Sequence, residues 1–167
     1  MTPHNILISV YHKDDLPQLV EALTPLSVRI FSTGGTARVL RELGVEVILI
    51  EELTESPEML GGRVKTLHPK VFGGILARRD HPKDQEEVLR YALPLFDWVI
   101  VDVYPFTQSV RSGETRAQII EHIDIGGISL IRAAAKNYQH TLVVSSREQL
   151  PAVLELAQRG GETDVET

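Results

Sequence analysis

Apolar residues along this chain fall into short continuous runs separated by stretches of helical spacing. Ile6 to Val10 is one such run, and Val28-Arg29-Ile30-Phe31, Val45 to Ile50, Trp98 to Val103 and Leu142 to Val144 are others. Runs that are apolar throughout, rather than at alternate positions, predict strands covered on both faces. Between them, Asp15 to Leu26 places Leu16, Leu19, Val20 and Leu23 on one helical face, and Ala37 to Leu43 predicts a helix ended by Gly44. Ser56-Pro57-Glu58 predicts a helix start, with Ser56 as N-cap and Pro57 at the first helical position. Lys83 to Tyr91 predicts a polar, exposed helix, and Glu114 to His122, Ser129 to Ala135 and Arg147 to Gln158 predict three more. Strands alternating with helices imply an α/β fold of three layers, a mostly parallel sheet with helices on both faces. Ligands of such sheets sit at the carboxyl ends of the strands, which puts Ser9 to Lys13, Thr33 to Thr36 and Tyr104 on one edge.

Composition narrows the partners. With 167 residues and 43% apolar content, the chain reads as one domain over residues 1–159, followed by a polar, acidic tail at 160–167 expected to fray. The net charge of −6, with no basic face, argues against nucleic acid. The N-terminus shows neither a signal peptide nor a membrane span. There is no cysteine, which excludes disulfides and thiol catalysis and is compatible with a reducing cytoplasm. The histidines show no metal-ligand spacing, so no metal is expected, and His68-Pro69 reads as shaping a loop. The acidic Asp14-Asp15 and Asp84 to Glu87, and Arg78-Arg79, read as solvated faces.

Three segments carry candidate chemistry. Gly61 to Lys70 fits neither helix nor strand periodicity and concentrates Arg63, Lys65, Thr66 and His68 in a loop bracketed by glycines and a proline. Ser32-Thr33-Gly34-Gly35-Thr36 joins a strand end to a helix start, where bare amides, the hydroxyls of Thr33 and Thr36 and the helix dipole favour an anion. It is equally a tight turn capped by Thr36, and Lys13 on the neighbouring strand exit favours the phosphate reading. Asp124-Ile125-Gly126-Gly127 precedes another helix. Asp124 reads as its cap, and the amides of Ile125, Gly126 and Gly127 as donors to a carbonyl oxygen or oxyanion. Lys136 lies near the far end of that helix, where it suits the dipole.

Pro57-Glu58-Met59-Leu60-Gly61-Gly62-Arg63-Val64-Lys65-Thr66-Leu67-His68-Pro69-Lys70, followed by Gly73 to Arg79, closely resembles the inosine monophosphate cyclohydrolase domain of the bifunctional purine-biosynthesis enzyme. Ser32 to Thr36, Tyr104-Pro105-Phe106, Ile123 to Gly127 and Arg132 to Asn137 match it in the same order, from about Ile6 to Val144. The resemblance implies a methylglyoxal-synthase-like domain. It implies closure of 5-formamidoimidazole-4-carboxamide ribonucleotide to inosine monophosphate with loss of water, without metal or cofactor. It places Lys65, Tyr104, Asp124 and Lys136 at catalytic positions: Lys136 as the main proton-transfer group, Asp124 orienting it, Lys65 and Tyr104 as a second pair. Ser9, Lys13, Thr33, Gly34, Gly35 and Thr36 match the ribose-phosphate site, and Arg63 and Thr66 the base end. Crowding of Arg63, Lys65 and Lys136 would lower a lysine pKa towards neutrality.

Asp124 and Lys136 are twelve positions apart, about 18 Å along one straight helix. Either that helix is short and ends well before Lys136, or the two residues bracket a long ligand. The chain also departs from the pattern it resembles. Tyr11-His12-Lys13-Asp14 stands where Ser-Asp-Lys-Thr is usual, Asp102-Val103 where Asn-Leu is usual, and Ser56 where Phe is usual. Asp102 is counted with the ligand-facing residues. The chain is too short to include a formyl transferase, so it reads either as a stand-alone cyclohydrolase served by a separate transferase, the preferred expectation, or as an excised domain. A homodimer is expected. The competing readings are a methylglyoxal synthase and a non-catalytic nucleotide sensor.

Overall fold

The computed structural model describes residues 4–162. Five parallel strands, β1 (Asn5–Val10), β2 (Arg29–Ser32), β3 (Val47–Leu49), β4 (Trp98–Asp102) and β5 (Leu142–Val144), form one sheet in the order β3-β2-β1-β4-β5. The helices are α1 (Leu16–Leu23), α2 (Gly34–Glu42), α3 (Ile50–Thr54), α4 (Pro69–Leu76), α5 (Pro82–Arg90), α6 (Phe106–Arg111), α7 (Arg116–Glu121), α8 (Gly126–Lys136) and α9 (Leu150–Gln158). No described helix is long and apolar enough to cross a membrane.

Alternate strand residues feed two cores, as the all-apolar runs require. Ile6, Ile8, Ile30, Trp98 and Ile100 pack against α1, α2 and α9 through Leu16, Leu19, Leu40 and Val153. Leu7, Phe31, Val99 and Val101 face the other way, onto Ile50, Val71, Ile75 and Leu130 of α3, α4 and α8. The expected three-layer, parallel α/β architecture is therefore the observed one.

Helix ends follow local chemistry. Gly44 closes α2 as expected, with Val45 N donating to Leu40 O and Gly44 N to Arg41 O. The same pair of bonds recurs after α9, where Gly161 N donates to Leu156 O at 2.9 Å and Gly160 N to Ala157 O at 3.0 Å. The expected frayed tail therefore starts too early at 160; residues 163–167 lie outside the described range. The helix expected at Ser56-Pro57 is absent: Ser56 Oγ donates back to Thr54 O at 3.3 Å, and residues 56–59 are irregular. Arg78 and Arg79 are not free surface cations. Arg78 makes three bonds to Asp84, two from its guanidinium at 2.9 and 2.7 Å and one from its backbone amide at 2.9 Å, and holds that carboxyl well below the usual carboxylate range. Arg79 lies 2.6 Å from buried Asp97. Asp15 is likewise paired, with Arg147 Nη2 at 2.9 Å.

From β1 the chain winds outward to β2 and β3, then returns to place β4 on the other side of β1. This reversal opens a crevice at the carboxyl ends of β1 and β4, where open α/β sheets bind ligands.

Candidate active site

The turn after β2 has the geometry of an anion cradle. Thr33 is extended and caps α2 through its backbone, and Gly34 begins the helix at φ +49°. A methyl group at Gly34 would lie 2.9 Å from Lys65 Nζ, and one at Gly35 would lie 3.8 Å from Lys13 Cε. Two lysines thus flank the first amides of α2, which have no intrahelical partner. Lys13 Nζ donates to Tyr11 O at 2.9 Å and to Val10 O. Burial pushes its ammonium pKa down, Asp102 acts to raise it, and Arg38 lowers it further. Thr36 neither caps the helix nor presents a free hydroxyl. Its Oγ1 donates to Val10 O at 3.0 Å and accepts from Val10 N at 3.2 Å, tying α2 to β1. Ser9 lies half-buried in β1, in register with Val101.

The basic loop runs from the tight turn Leu60–Gly62 to α4. His68 caps α4, its Nδ1 accepting from Lys70 N at 3.1 Å, with Pro69 as the first helical residue. Lys65 and Thr66 point to opposite ends of the crevice. Lys65 Nζ reaches Gly34 and lies 3.0 Å from Glu58 Oε1, while Thr66 is buried with its Oγ1 2.8 Å from where a methyl at Gly126 would sit. Gly62 makes the first arrangement possible. Its φ is +86°, and a methyl there would meet Lys65 Cε at 2.5 Å and Glu58 Oε1 at 2.6 Å. Glu58 was invisible as a site residue in the sequence, where it served only a helix start that does not form. A carboxylate on the near side of a Gly-Gly turn, opposite a candidate catalytic lysine, was the available signal.

At the other end of the crevice Asp124 caps α8, accepting from Gly127 N at 2.5 Å and Ile128 N at 3.2 Å. The Gly127 amide is therefore taken. Those of Ile125 and Gly126 have no protein partner among the described residues. Two further expectations fail. α8 runs unbroken through Lys136, which lies about 15 Å from the start of the helix at 1.5 Å per residue. Lys136 is exposed at the opposite edge of the sheet, next to Asn137, whose amide donates to Ile75 O and Ala77 O at 2.7 and 3.1 Å. Nor do Arg63, Lys65 and Lys136 crowd together, since Arg63 pairs with Glu121 and Lys65 with Glu58.

Tyr104 stands past the end of β4 between two rings. His122 stacks on it at 3.9 Å and 22°, and Tyr11 meets it edge-on at 4.4 Å. Desolvation, reinforced by its hydrogen bond to Tyr104, pushes the Tyr11 phenol up. His122 Nδ1 lies 3.1 Å from Ser109 Oγ and 3.0 Å from Glu114 Oε2. Asp102, expected to face the ligand, instead faces His12: its Oδ2 accepts from His12 N at 2.9 Å and lies 2.6 Å from His12 Nδ1.

Residues 15–129 match the family model of the MGS-like domain. The chain belongs to the MGS-like domain family. Among sequenced relatives, it is 50% identical over 157 residues to the bifunctional purine biosynthesis protein PurH of Bacteroides thetaiotaomicron, covering 94% of this chain and 31% of that protein. PurH of Rhodopirellula baltica is 49% identical over 162 residues, covering 96% of this chain and 31% of the relative. The chain thus spans about a third of the length of these curated relatives. The crystal structure of ForH matches at TM-score 0.79 and 35% identity, covering 99% of this chain and 87% of that one. This MGS-like domain is therefore homologous to one portion of purine biosynthesis proteins.

Proposed function

We propose that this MGS-like domain closes 5-formamidoimidazole-4-carboxamide ribonucleotide to inosine monophosphate, releasing water. The observation that carries the reading is the basic loop bridging two glycine-opened helix starts, with Lys65 at Gly34 and Thr66 at Gly126. A ligand with a phosphate at one end and a polar heterocycle at the other matches that span. Lys13 and the amides of Gly34 and Gly35 take the phosphate, with Thr33 and Ser9 beside them. Arg63, Thr66 and the amides of Ile125 and Gly126 take the carboxamide–formyl end.

Ring closure joins the carboxamide nitrogen to the formyl carbon. The carboxamide nitrogen loses one proton as it attacks, and the formyl oxygen gains negative charge and is protonated to a hydroxyl. The formamido N–H then gives up its proton as a C=N bond forms, the C–O bond breaks and the oxygen leaves as water. The unpartnered amides opening α8 suit the developing oxyanion, because fixed donors cost no reorganisation during reaction. Lys65, at the α2 turn, and Tyr104, past the end of β4, are taken as the proton carriers. Asp124 keeps the start of α8 in shape through its cap bonds. Within one chain Lys136 is too far away to join them, and no step is assigned to it.

The test is ring closure followed by ultraviolet absorbance, with purified protein and the formamido-carboxamide ribonucleotide. Protein-dependent closure that Lys65→Ala removes is the expected result. A folded protein that binds inosine monophosphate but shows no turnover would replace this reading with a nucleotide sensor.

A further inference from the structure

The exit of β1 is wired to the end of β4 at three points. Tyr11 N donates to Asp102 O at 2.8 Å, His12 N donates to Asp102 Oδ2 at 2.9 Å, and His12 Nδ1 lies 2.6 Å from the same oxygen. The next residue is Lys13, which folds back onto the carbonyls of Val10 and Tyr11 and lies along Gly35 at the start of α2. Asp102 and His12 border a small cavity of about 30 Å³, also lined by Leu16, Leu19, Val144 and Leu150. That places the pair beside α1 and α9, and Lys13, the next residue along the chain from His12, links it to the α2 turn. The electrostatics agree in direction, since Asp102 opposes the effect of burial on the Lys13 ammonium.

We propose that Asp102 and His12 form a brace that positions Lys13 over the α2 turn, so that Asp102 serves phosphate recognition without touching the ligand. This rests on the reading of that turn as a phosphate site. It also accounts for two departures from the sequence pattern the chain resembles. That pattern has a carboxylate at position 12 and an amide at 102, whereas here the carboxylate has moved to 102. Both departures are ends of one contact, and the exchange keeps a carboxylate hydrogen-bonded across it.

Calorimetric titration with inosine monophosphate and with inorganic phosphate tests the brace in four proteins: the wild type, Asp102→Asn, His12→Asp, and the exchanged pair His12→Asp/Asp102→Asn. Asp102→Asn weakens the contact and is expected to raise Kd about tenfold. His12→Asp sets two carboxylates against each other and is expected to cost about a hundredfold. The exchanged pair restores the contact and is expected to bind within about threefold of the wild type. In turnover, the single variants raise KM while leaving kcat close to its wild-type value. Circular dichroism checks the folding of His12→Asp, and Asp102→Asn supplies the milder variant should that protein not fold. Additive losses in the exchanged pair, or single variants that bind like the wild type, would overturn the brace alone. A wild type that binds neither ligand would overturn the phosphate reading and the brace with it.

Discussion

The two edges of the sheet handle polar groups in opposite ways. At the amino edge, polar side chains are buried and saturated from within the chain. Asp97, 6% exposed, takes the amides of His4 and Asn5 at 2.7 and 2.8 Å and Arg79 at 2.6 Å. Asn5 joins Leu95 O to Arg29, and Thr141 and Asn137 occupy the carbonyls of Phe96, Ile75 and Ala77. At the carboxyl edge, the cations meet partners that a ligand can displace. Lys65 leans on half-exposed Glu58, Arg63 on exposed Glu121, and Lys13 on backbone carbonyls. Glycines at positive φ keep the surroundings open. One edge therefore holds the fold and the other leaves its electrostatic capacity available for something else.

The comparison is broken most directly at Asp97. Asp97→Ala leaves two amides without their acceptor and removes the carboxylate from the half-buried Arg79, which still has Phe96 O as an acceptor. This is expected to cost about 3–5 kcal/mol. Urea unfolding measures the loss, while nucleotide affinity per folded molecule stays unchanged. A loss below about 1 kcal/mol would mean that the amino edge is no more structural than a surface ion pair.

Gly62→Ala tests the opposite edge. The added methyl would overlap both Lys65 Cε and Glu58 Oε1, and an alanine at φ +86° is strained. Turnover is expected to fall about a hundredfold, while stability falls by only about 1–2 kcal/mol. Steady-state kinetics beside a urea curve separates the two effects. Equal damage to both would erase the distinction between the edges.

These contrasts show what was legible beforehand. Strand runs such as Ile6 to Val10 and Trp98 to Val103 announced a buried sheet, and the carboxyl-edge rule then gathered Lys13, Thr33 and Tyr104 correctly. Local signals failed where tertiary contacts outvoted them. No helix is predicted at Pro69–Leu76, yet α4 forms there and packs so close to the chain beyond it that a methyl at Gly74 would come 2.0 Å from Pro94 O. Ser56-Pro57 carried a good helix-start signature, but Ser56 turns back to Thr54. The short helices α3 and α6 show no full apolar period of their own. Spacing already contained the separation of Asp124 from Lys136, and the Gly-Gly turn between Glu58 and Lys65 hinted at their pairing, whereas His12–Asp102 joins two strand ends and has no linear signature.

Glu58→Gln sharpens the comparison more gently. Amide replaces carboxylate at nearly the same volume, so a half-exposed pair should change stability by less than about 1 kcal/mol. Lys65 loses its 3.0 Å partner, and kcat is expected to fall about tenfold if that pairing sets its position. Unchanged kcat in stopped-flow turnover would make Glu58 a solvated bystander.

The smallest expected effect separates the folding and binding consequences of a single group. Burial lowers the pKa of Lys13 in the folded protein, so between its folded and unfolded values the unfolded chain holds more protons. Stability without ligand therefore rises slightly as pH increases through that window. A bound phosphate favours the charged ammonium, so its contribution changes in the opposite sense and fades as pH rises through the folded value. That alkaline limb lies below the ordinary lysine pKa, about 10.4. Lys13→Met removes the proton from both balances. Its unfolding free energy is expected to lose the small alkaline rise attributable to this residue. Its phosphate affinity is expected to be about tenfold weaker near neutral pH and to approach that of the wild type at high pH. Paired denaturation and calorimetry across the alkaline range measure both slopes in each protein. Parallel affinity curves for the two proteins would remove Lys13 from the phosphate site and leave its inward fold onto Val10 and Tyr11 as a structural contact, of the kind found at the amino edge.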